Sequence, residues 1–284
     1  MLDIPKMFSP INGDLEKYDK KNFSDKVALI DADYLKYLVT SLMYKKIIEE
    51  GKDHSVSMLN ETIDFYLSRD IFNSFSAKAY VFCFSAPSSN VFRNHLAQEK
   101  KYKGNRENQK DSNYYPDKYE DMAYVYEYIK QRHVTLFHDD LEADDLLSFL
   151  QHPEKTFIYS NDKDLKQVIG YHFDIKNRFL SYTDEEKGFK MLIKQVLTGD
   201  TTDNIPGLFR CGPKRVEEIT EGKDAYACLI ACINEFISKK DLLHGVDTFV
   251  EMWSLVSMKI NRGDYFKEKY KSSINLVNSL IEDE

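Results

Sequence analysis

The sequence predicts an α/β fold built on a mainly parallel β-sheet, and three observations support this prediction. Short runs of β-branched and aromatic residues recur between residues 27 and 175, with the length of buried strands. Stretches with the helical spacing of apolar residues lie between several of these runs. Strands that alternate with helices pair in parallel, because each helix crosses one face of the sheet.

The predicted elements follow one another in a regular order. The five predicted strands span residues 27–30, 79–84, 134–137, 156–159 and 171–175, and the predicted helices span 34–49, 58–75, 119–131 and 141–150. From Met191 onward the pattern is helical only, and glycines and prolines between Gly199 and Pro213 interrupt it at its start. We therefore expect an N-terminal extension over 1–25, an α/β core over 26–190 and an appended helical subdomain over 191–284.

Composition limits the class of protein. With 284 residues and 42% hydrophobic content, the chain can bury one large core, alone or with a smaller subdomain. Its four cysteines form no CxxC pair and have no histidine at zinc-ligand spacing, so a reducing compartment fits best. The N-terminus resembles neither a signal peptide nor a membrane span. We expect a soluble, cytoplasmic protein with no membrane partner.

Charge is unevenly distributed along the chain. The net charge of -8 argues at first against a polyanionic partner. Between residues 93 and 110, however, six Lys and Arg residues face only two Glu. The surrounding stretch, 86–118, is polar and long, which is typical of a functional loop. We expect it to be a flexible, partly helical element over the site.

Four acidic motifs carry the strongest chemical signal. They are Asp31-Ala-Asp33, Glu142-Ala-Asp144-Asp145, Asp162-Lys-Asp164 and Asp200-Thr-Thr-Asp203. Asp31 directly follows the first predicted strand, and Asp162 lies two residues beyond the fourth, so both belong at the carboxyl edge of the sheet, where α/β proteins bind ligands. Two hard divalent cations about 4 Å apart need several carboxylates in one cleft. A single acidic pair is more often a solvated surface feature, but four pairs indicate a metal centre.

The helix predicted near Leu141 orders its own acidic motif. Glu142 and Asp145 are three residues apart and share a helical face. Asp139 and Asp140 are candidates for its N-cap. Asp33 has two possible roles, because it could support the metal ligands or cap the helix that follows it.

The order of the motifs IDADYL, EADDLL, SNDKDL and GDTTDNIPGLFRCGPK resembles the bacteriophage and bacterial 5′ nuclease family of flap endonucleases and 5′ to 3′ exonucleases. The resemblance runs from about Val27 to Ile219. It implies a PIN-like parallel-sheet core with a helical arch over 86–118 and a helix-hairpin-helix element in the helical subdomain. It also implies two Mg²⁺ ions, which Mn²⁺ can replace. One metal position would use Asp31, Glu142, Asp144 and Asp162, the second would use Asp164, Asp200 and Asp203, and Asp145 would support them.

Two basic elements are also similar to those of the family. Lys100-Lys-Tyr102-Lys103-Gly-Asn-Arg106 resembles the YKGNR element at the base of the arch. Lys103 and Arg106 would stabilise negative charge in the transition state, Tyr102 would stack on a base, and Arg93 would hold phosphate. In the hairpin, Gly207 and Gly212 would permit a tight turn, and Lys214 and Arg215 would contact duplex phosphates, with K⁺ on the hairpin carbonyls. A solvated basic loop and a plain interhelical turn are the simpler alternatives.

One position departs from the family pattern. The family usually has an acid shortly after the second strand, but here the sequence is Phe84-Ser85-Ala86-Pro87. The missing carboxylate would weaken a metal position, be replaced by water, or be offset by Asp33. Partial compensation by Asp33 is our hypothesis.

Three functions remain open at this stage. The first is a 5′ nuclease that cleaves DNA flaps or ends, or RNA in RNA–DNA hybrids. The second is a non-catalytic DNA-binding relative. The third is a haloacid-dehalogenase-type phosphatase, because Asp31 and Asp33 have its DxD spacing; this would leave the EADD motif and the hairpin unexplained. For the nuclease we expect a monomer in a bacterial cytoplasm, of bacterial or phage origin. Any polymerase or single-strand binding partner would be a separate chain.

Overall fold

The computed structural model describes residues 21–106, 111–175, 178–258 and 267–282. The described part confirms the predicted α/β class. Residues 107–110 of the predicted arch lie outside it, as do residues 1–20 of the predicted extension.

A six-stranded sheet forms the centre of the molecule, in the order β3-β2-β1-β4-β5-β6. Its strands are β1 (Lys21–Asp31), β2 (Phe75–Phe84), β3 (Val134–Phe137), β4 (Thr156–Tyr159), β5 (Gly170–Asp174) and β6 (Phe179–Thr183). All neighbouring pairs are parallel except β5 and β6, which are antiparallel. The five predicted strands are therefore present, and the carboxyl ends of β1 to β5 share one edge.

The sheet extends beyond the prediction at two places. Strand β1 begins at Lys21, so residues 21–25 belong to the sheet and not to an extension. The ring of Phe23 explains this, because it packs within 5.3 Å of Phe157 and 6.2 Å of Phe173, centroid to centroid. Strand β6 was not predicted, since its mostly half-exposed residues form a short edge strand without an apolar run.

Three helices cover one face of the sheet. They are α1 (Ala32–Tyr44), α2 (Val56–Tyr66) and α4 (Lys118–Lys130); α1 and α2 continue as π-helical turns over Lys45–Glu49 and Leu67–Phe72. The buried side chains of these helices pack on Ala28, Ile30, Phe82 and Phe84. These alternate strand residues point to the same face, since strand side chains alternate in direction.

The opposite face packs against helices α5 (Ala143–Leu150) and α10 (Lys271–Glu282). Its core contains Val27, Leu29, Val81 and Cys83 from the strands, with Leu146 from α5. Helix α10 contributes Val277 to the same core. The last helix of the chain thus lies on the sheet, although the sequence had placed it in the helical subdomain.

Helices α6 (Glu185–Thr198), α7 (Pro213–Thr220), α8 (Ala225–Lys239) and α9 (Leu242–Val256) build a third core. This core also includes Ala86, Val91 and Tyr102 from the predicted arch. In the described part of that stretch, regular structure consists of α3 (Arg93–Leu96) and a 3₁₀ turn at Gly104–Arg106. No helix among the described residues is long and apolar enough to cross a membrane.

Candidate active site

The carboxyl ends of β1 and β4 bring two of the predicted acids together. Asp31 is the last residue of β1, and its Oδ1 caps α1 by accepting from the backbone N–H of Tyr34 at 3.4 Å. Ser160 Oγ donates to Asp31 Oδ2 at 2.8 Å and accepts from the N–H of Asp162 at 3.0 Å. Burial, with the nearby charges of Asp33 and Asp162, raises the pKa of Asp31 to about 7.

The start of α5 concentrates three carboxylates. Glu142 is the N-cap of this helix and forms a capping box with Asp145, because each side chain accepts from the other's backbone N–H. The predicted caps do not serve this helix: Asp140 Oδ1 instead accepts from the Tyr270 hydroxyl at 2.8 Å, and its Oδ2 pairs with Lys269 at 2.5 Å. Glu142, Asp144 and Asp145 each place one carboxylate oxygen within 4.8 Å of the others.

This concentration of like charge is costly without a cation. Burial, followed by the charges of Asp145 and Glu142, raises the pKa of Asp144 well above its usual value. Burial also opposes ionisation of Glu142, but Lys103 and Arg93 hold its pKa below its usual value. The cluster thus favours positive charge on its open side.

Arg93 lies inside the cluster, fully buried. Its guanidinium donates to both oxygens of Asp145 at 2.7 Å, to Glu142 Oε2 at 3.0 Å and to the carbonyl of Leu255 at 2.9 Å. The predicted phosphate contact is therefore wrong, because every face of the guanidinium is directed to protein acceptors. Arg93 joins α3, α5 and the end of α9.

Tyr102 is also directed inward. Its side chain is buried, and its hydroxyl lies 2.8 Å from Glu142 Oε2 and 2.9 Å from Asp203 Oδ2. The predicted base stacking by Tyr102 is wrong, since its ring belongs to the helical core. Tyr102 instead connects the α5 acids with the acids of the loop after α6.

Lys103 and Arg106 stand at the rim of the site, as predicted for cations that meet a phosphate. The ammonium of Lys103 pairs with Glu142 and lies 3.8 Å from Asp203 Oδ2. Arg106 donates to Asp203 Oδ1 at 2.6 Å, and 43% of its side chain is exposed. Both cations therefore face solvent on one side and carboxylates on the other.

The loop after α6 carries the last two acids. Asp200 and Ile205 exchange backbone hydrogen bonds of 2.9 and 2.7 Å, which closes the loop around Asp203. Asp200 Oδ1 accepts from the N–H of Thr202 at 2.6 Å, and its Oδ2 lies 3.2 Å from Lys163 Nζ. Burial opposes its ionisation, but these contacts hold the pKa of Asp200 below its usual value.

Two glycines allow this loop to close. Gly199 and Gly207 have φ of +66° and +63°, and a Cβ on Gly207 would lie 2.2 Å from the backbone nitrogen of Gly199. The chain therefore crosses itself where only glycine fits.

We expect Gly207→Ala to destabilise the protein by more than about 2 kcal/mol, because backbone overlap adds to the cost of positive φ. Urea unfolding measures the loss. Gly222→Ala is the matched control, since Gly222 has φ of +68° but open space around it. Its expected cost is about 1 kcal/mol. Equal losses in the two variants would contradict the crossing argument.

Asp164 is placed by a residue that the sequence did not single out. Gln195 of α6 donates to Asp164 Oδ1 at 2.5 Å and is itself buried. Burial and the charges of Asp162 and Asp200 raise the pKa of Asp164 to about 7. Gln195 and Ser160 thus orient acids, and a buried polar position in an apolar helix face was the available signal for Gln195.

Asp33 reaches the end of β2, where the family's usual acid is missing. Its Oδ2 accepts from the backbone N–H of Ser85 at 3.2 Å, and its Oδ1 pairs with Lys36 at 2.5 Å. Ser85 Oγ in turn accepts from the N–H of Ala143 at the start of α5 at 2.8 Å. Asp33 is therefore connected to the acidic helix terminus through Ser85.

The predicted hairpin lies between α6 and α7. Gly212 is the N-cap of α7 and Pro213 is its first residue, as predicted. Lys214 is exposed. Arg215 pairs with Glu218 at 3.1 Å and Glu235 at 2.6 Å across a half-exposed surface. The hairpin's role in DNA contact stays a prediction.

Fold and site together define an α/β protein with a buried acidic centre at the carboxyl edge of a parallel sheet, fronted by two cations. The model of the 5′-3′ exonuclease N-terminal resolvase-like domain matches residues 26–196. The chain belongs to this family of 5′ nucleases, which confirms the resemblance seen in the motifs. A comparison with curated proteins gave no match.

Solved structures with the same fold include two from bacteriophage T5. The T5 5′-exonuclease with bound zinc has a TM-score of 0.59 at 17% identity, over 90% of this chain and 99% of that one. The bacteriophage T5 flap endonuclease in a pseudo-enzyme-product complex with DNA and metal ions has a TM-score of 0.60 at 17% identity, over 91% of this chain and 100% of that one. The fold thus extends over nearly the whole chain.

Proposed function

We propose that this protein is a metal-dependent 5′ nuclease that hydrolyses phosphodiester bonds of DNA at 5′ flaps and 5′ ends. The observation that carries the proposal is the convergence of carboxylates from β1, α5, the loop after β4 and the loop after α6, with Lys103 and Arg106 at the rim. The related T5 structures, with bound metal ions and DNA, support it.

The residues present fit divalent cations. Raised pKa values at Asp31, Asp144 and Asp164 show that burial leaves these carboxylates short of positive charge. Oxygen donors of this kind are the ligands that Mg²⁺ prefers. We assign the binding of two Mg²⁺ ions, replaceable by Mn²⁺, to Asp31, Glu142, Asp144, Asp162, Asp164, Asp200 and Asp203. Asp145 supports them, because Arg93 and the Glu142 N–H already occupy its oxygens.

When bound, such ions lower the pKa of water and stabilise charge on the attacking and leaving oxygens. The chain's own groups position the substrate. Lys103 and Arg106 lie where phosphate oxygens can replace their carboxylate partners, and their charge stabilises the transition state. Lys214, with the backbone around Gly207 and Gly212, grips duplex phosphates, and K⁺ on the hairpin carbonyls would strengthen that grip.

Digestion of three labelled substrates tests the proposal: a 5′ flap, a nicked duplex and an RNA–DNA hybrid. We expect Mg²⁺-dependent products from the flap that disappear in EDTA and in the Asp162→Ala variant purified in parallel. Binding should weaken with salt by a log–log slope of about -0.9 per phosphate neutralised on duplex DNA. DNA binding without product in Mg²⁺ or Mn²⁺ would instead establish the non-catalytic alternative.

We further propose that Asp33 takes over part of the role of the missing acid at Ser85. The Asp33→Ala variant should bind Mn²⁺ about 10-fold more weakly, the scale seen when a group that supports a metal ligand is lost. Titration calorimetry measures this. The double variant Asp33→Ala/Ser85→Asp should recover most of the affinity, because the new carboxylate starts from the same strand end. Unchanged Mn²⁺ affinity in Asp33→Ala would refute the compensation.

The partners follow from the proposed reaction. DNA with a 5′ flap, nick or end is the main one, and an RNA–DNA hybrid is a second substrate to be compared. A separate polymerase or single-strand binding protein would supply or protect such substrates. We propose that the protein acts as a monomer in the cytoplasm.

A further inference from the structure

The turn over residues 208–211 presents an aromatic ring and a cation to solvent between two buried anchors. Leu208 and Cys211 belong to the helical core. The N–H of Cys211 donates to the carbonyl of Leu208 at 3.1 Å, and the N–H of Leu208 donates to the carbonyl of Leu197 at 2.8 Å. The turn is therefore a fixed projection from the end of α6, and its two central residues point outward.

Its two central residues contribute little to the stability of the fold. Phe209 is 72% exposed, so its ring buries little apolar surface. Arg210 has a φ of 58°, a left-handed conformation that costs a side-chain-bearing residue energy and favours glycine at this position of a turn. A conformation that is unfavourable locally and unused for packing points to a function outside the folded chain.

The charge on this turn is also available. The guanidinium of Arg210 lies 5.0 Å from the ring centroid of Phe209. No carboxylate lies within ion-pair distance of Arg210 among the residues that the structure describes, whereas Arg215 on α7 is engaged by Glu218 and Glu235. An open aromatic face beside an unpaired guanidinium matches a nucleotide, which offers a base to stack on and a phosphate to pair with.

We propose that Phe209 stacks on a nucleotide base of the DNA substrate while Arg210 contacts an adjoining phosphate. This inference rests on the proposed nuclease function and adds a contact outside the acidic centre. Phe209 lies six residues after Asp203, so the extended chain limits their separation to about 20 Å. At about 3.4 Å per nucleotide along one strand, the stacked base lies within about six nucleotides of the cleaved bond.

The test uses a fluorescein-labelled duplex with a 5′ flap that carries 2-aminopurine at successive positions, bound in Ca²⁺ buffer. Phe209→Ala should weaken binding about 10-fold, within the range for one base–aromatic stack, and abolish quenching of 2-aminopurine at one position. Phe209→Trp should retain both. Tyr226→Ala is the matched control, because Tyr226 is also 72% exposed but lies on α8. Arg210→Gly should reduce the salt slope of binding by about 1 without loss of stability.

The outcomes separate this proposal from the proposed function. If wild type binds and cleaves the flap but Phe209→Ala behaves like Tyr226→Ala, the turn proposal is wrong and the nuclease assignment stands. If wild type neither binds nor cleaves DNA, both are overturned. Selective loss of quenching and affinity in Phe209→Ala, with unchanged thermal stability, establishes the contact.

Discussion

Asp144→Asn is expected to lower the rate of flap cleavage by at least about 10²-fold while raising the melting temperature of the metal-free protein. The loss of rate follows because a preorganised charged group at the reacting centre contributes on this scale. The gain in stability follows because burial and two neighbouring carboxylates make the ionised Asp144 unfavourable in the folded state. Asparagine keeps the shape of the side chain and removes its charge.

The pH dependence of this gain has a definite sign. The pKa of Asp144 is raised on folding, so its ionisation destabilises the folded protein at pH values above the unfolded pKa near 3.9. Lowering the pH from 7 toward 4 should therefore narrow the difference in melting temperature between variant and wild type. Asp31 and Asp164 shift in the same direction but are present in both proteins, so the comparison isolates Asp144.

Thermal unfolding with and without Mg²⁺ completes the test. Mg²⁺ should stabilise wild type as its concentration exceeds the dissociation constant, and it should stabilise Asp144→Asn less. Ser257→Ala offers a control away from the carboxylates. An Asp144→Asn variant that melts below wild type in EDTA, or that cleaves at the wild-type rate, would contradict the assignment of Asp144 to the charged centre.

The ends of parallel strands explain why much of the site was predictable from the sequence. Asp31 and Asp162 follow apolar runs that could only be buried strands, and the topology then brings them to one edge. The spacing of Glu142 and Asp145 placed them on one helical face, where they form the capping box. These predictions depended on local periodicity alone, which a single sequence carries.

Side-chain direction in the basic stretch could not be predicted in the same way. Arg93 and Tyr102 stand among lysines that read as solvated, yet both turn inward to carboxylates from other segments. Their burial depends on where α5 and the loop after α6 lie, and that is a tertiary property. The one local signal was the apolar pair Val91 and Phe92 before Arg93, which anchors this segment to the core.

The second large effect concerns Arg93, for which we expect Arg93→Met to destabilise the protein by about 3–5 kcal/mol. Methionine keeps the apolar stem of the side chain but leaves Glu142 and Asp145 buried with fewer positive partners, and breaking a buried ion pair costs on this scale. Urea unfolding at pH 7 measures the change. Arg215→Met is the matched control, because its ion pairs are half-exposed and should contribute about 0–1 kcal/mol.

A double variant distinguishes lost charge from lost packing at this position. Asp145→Asn in the Arg93→Met background should recover part of the stability, because it removes one of the carboxylates left without a partner. Lowering the pH should also stabilise Arg93→Met relative to wild type, since an orphaned buried carboxylate binds a proton more readily in the folded state than in the unfolded one. If Arg93 instead contacted DNA, Arg93→Met would leave urea stability unchanged and reduce the salt slope of DNA binding by about 1. The four buried hydrogen bonds of its guanidinium predict the opposite pattern.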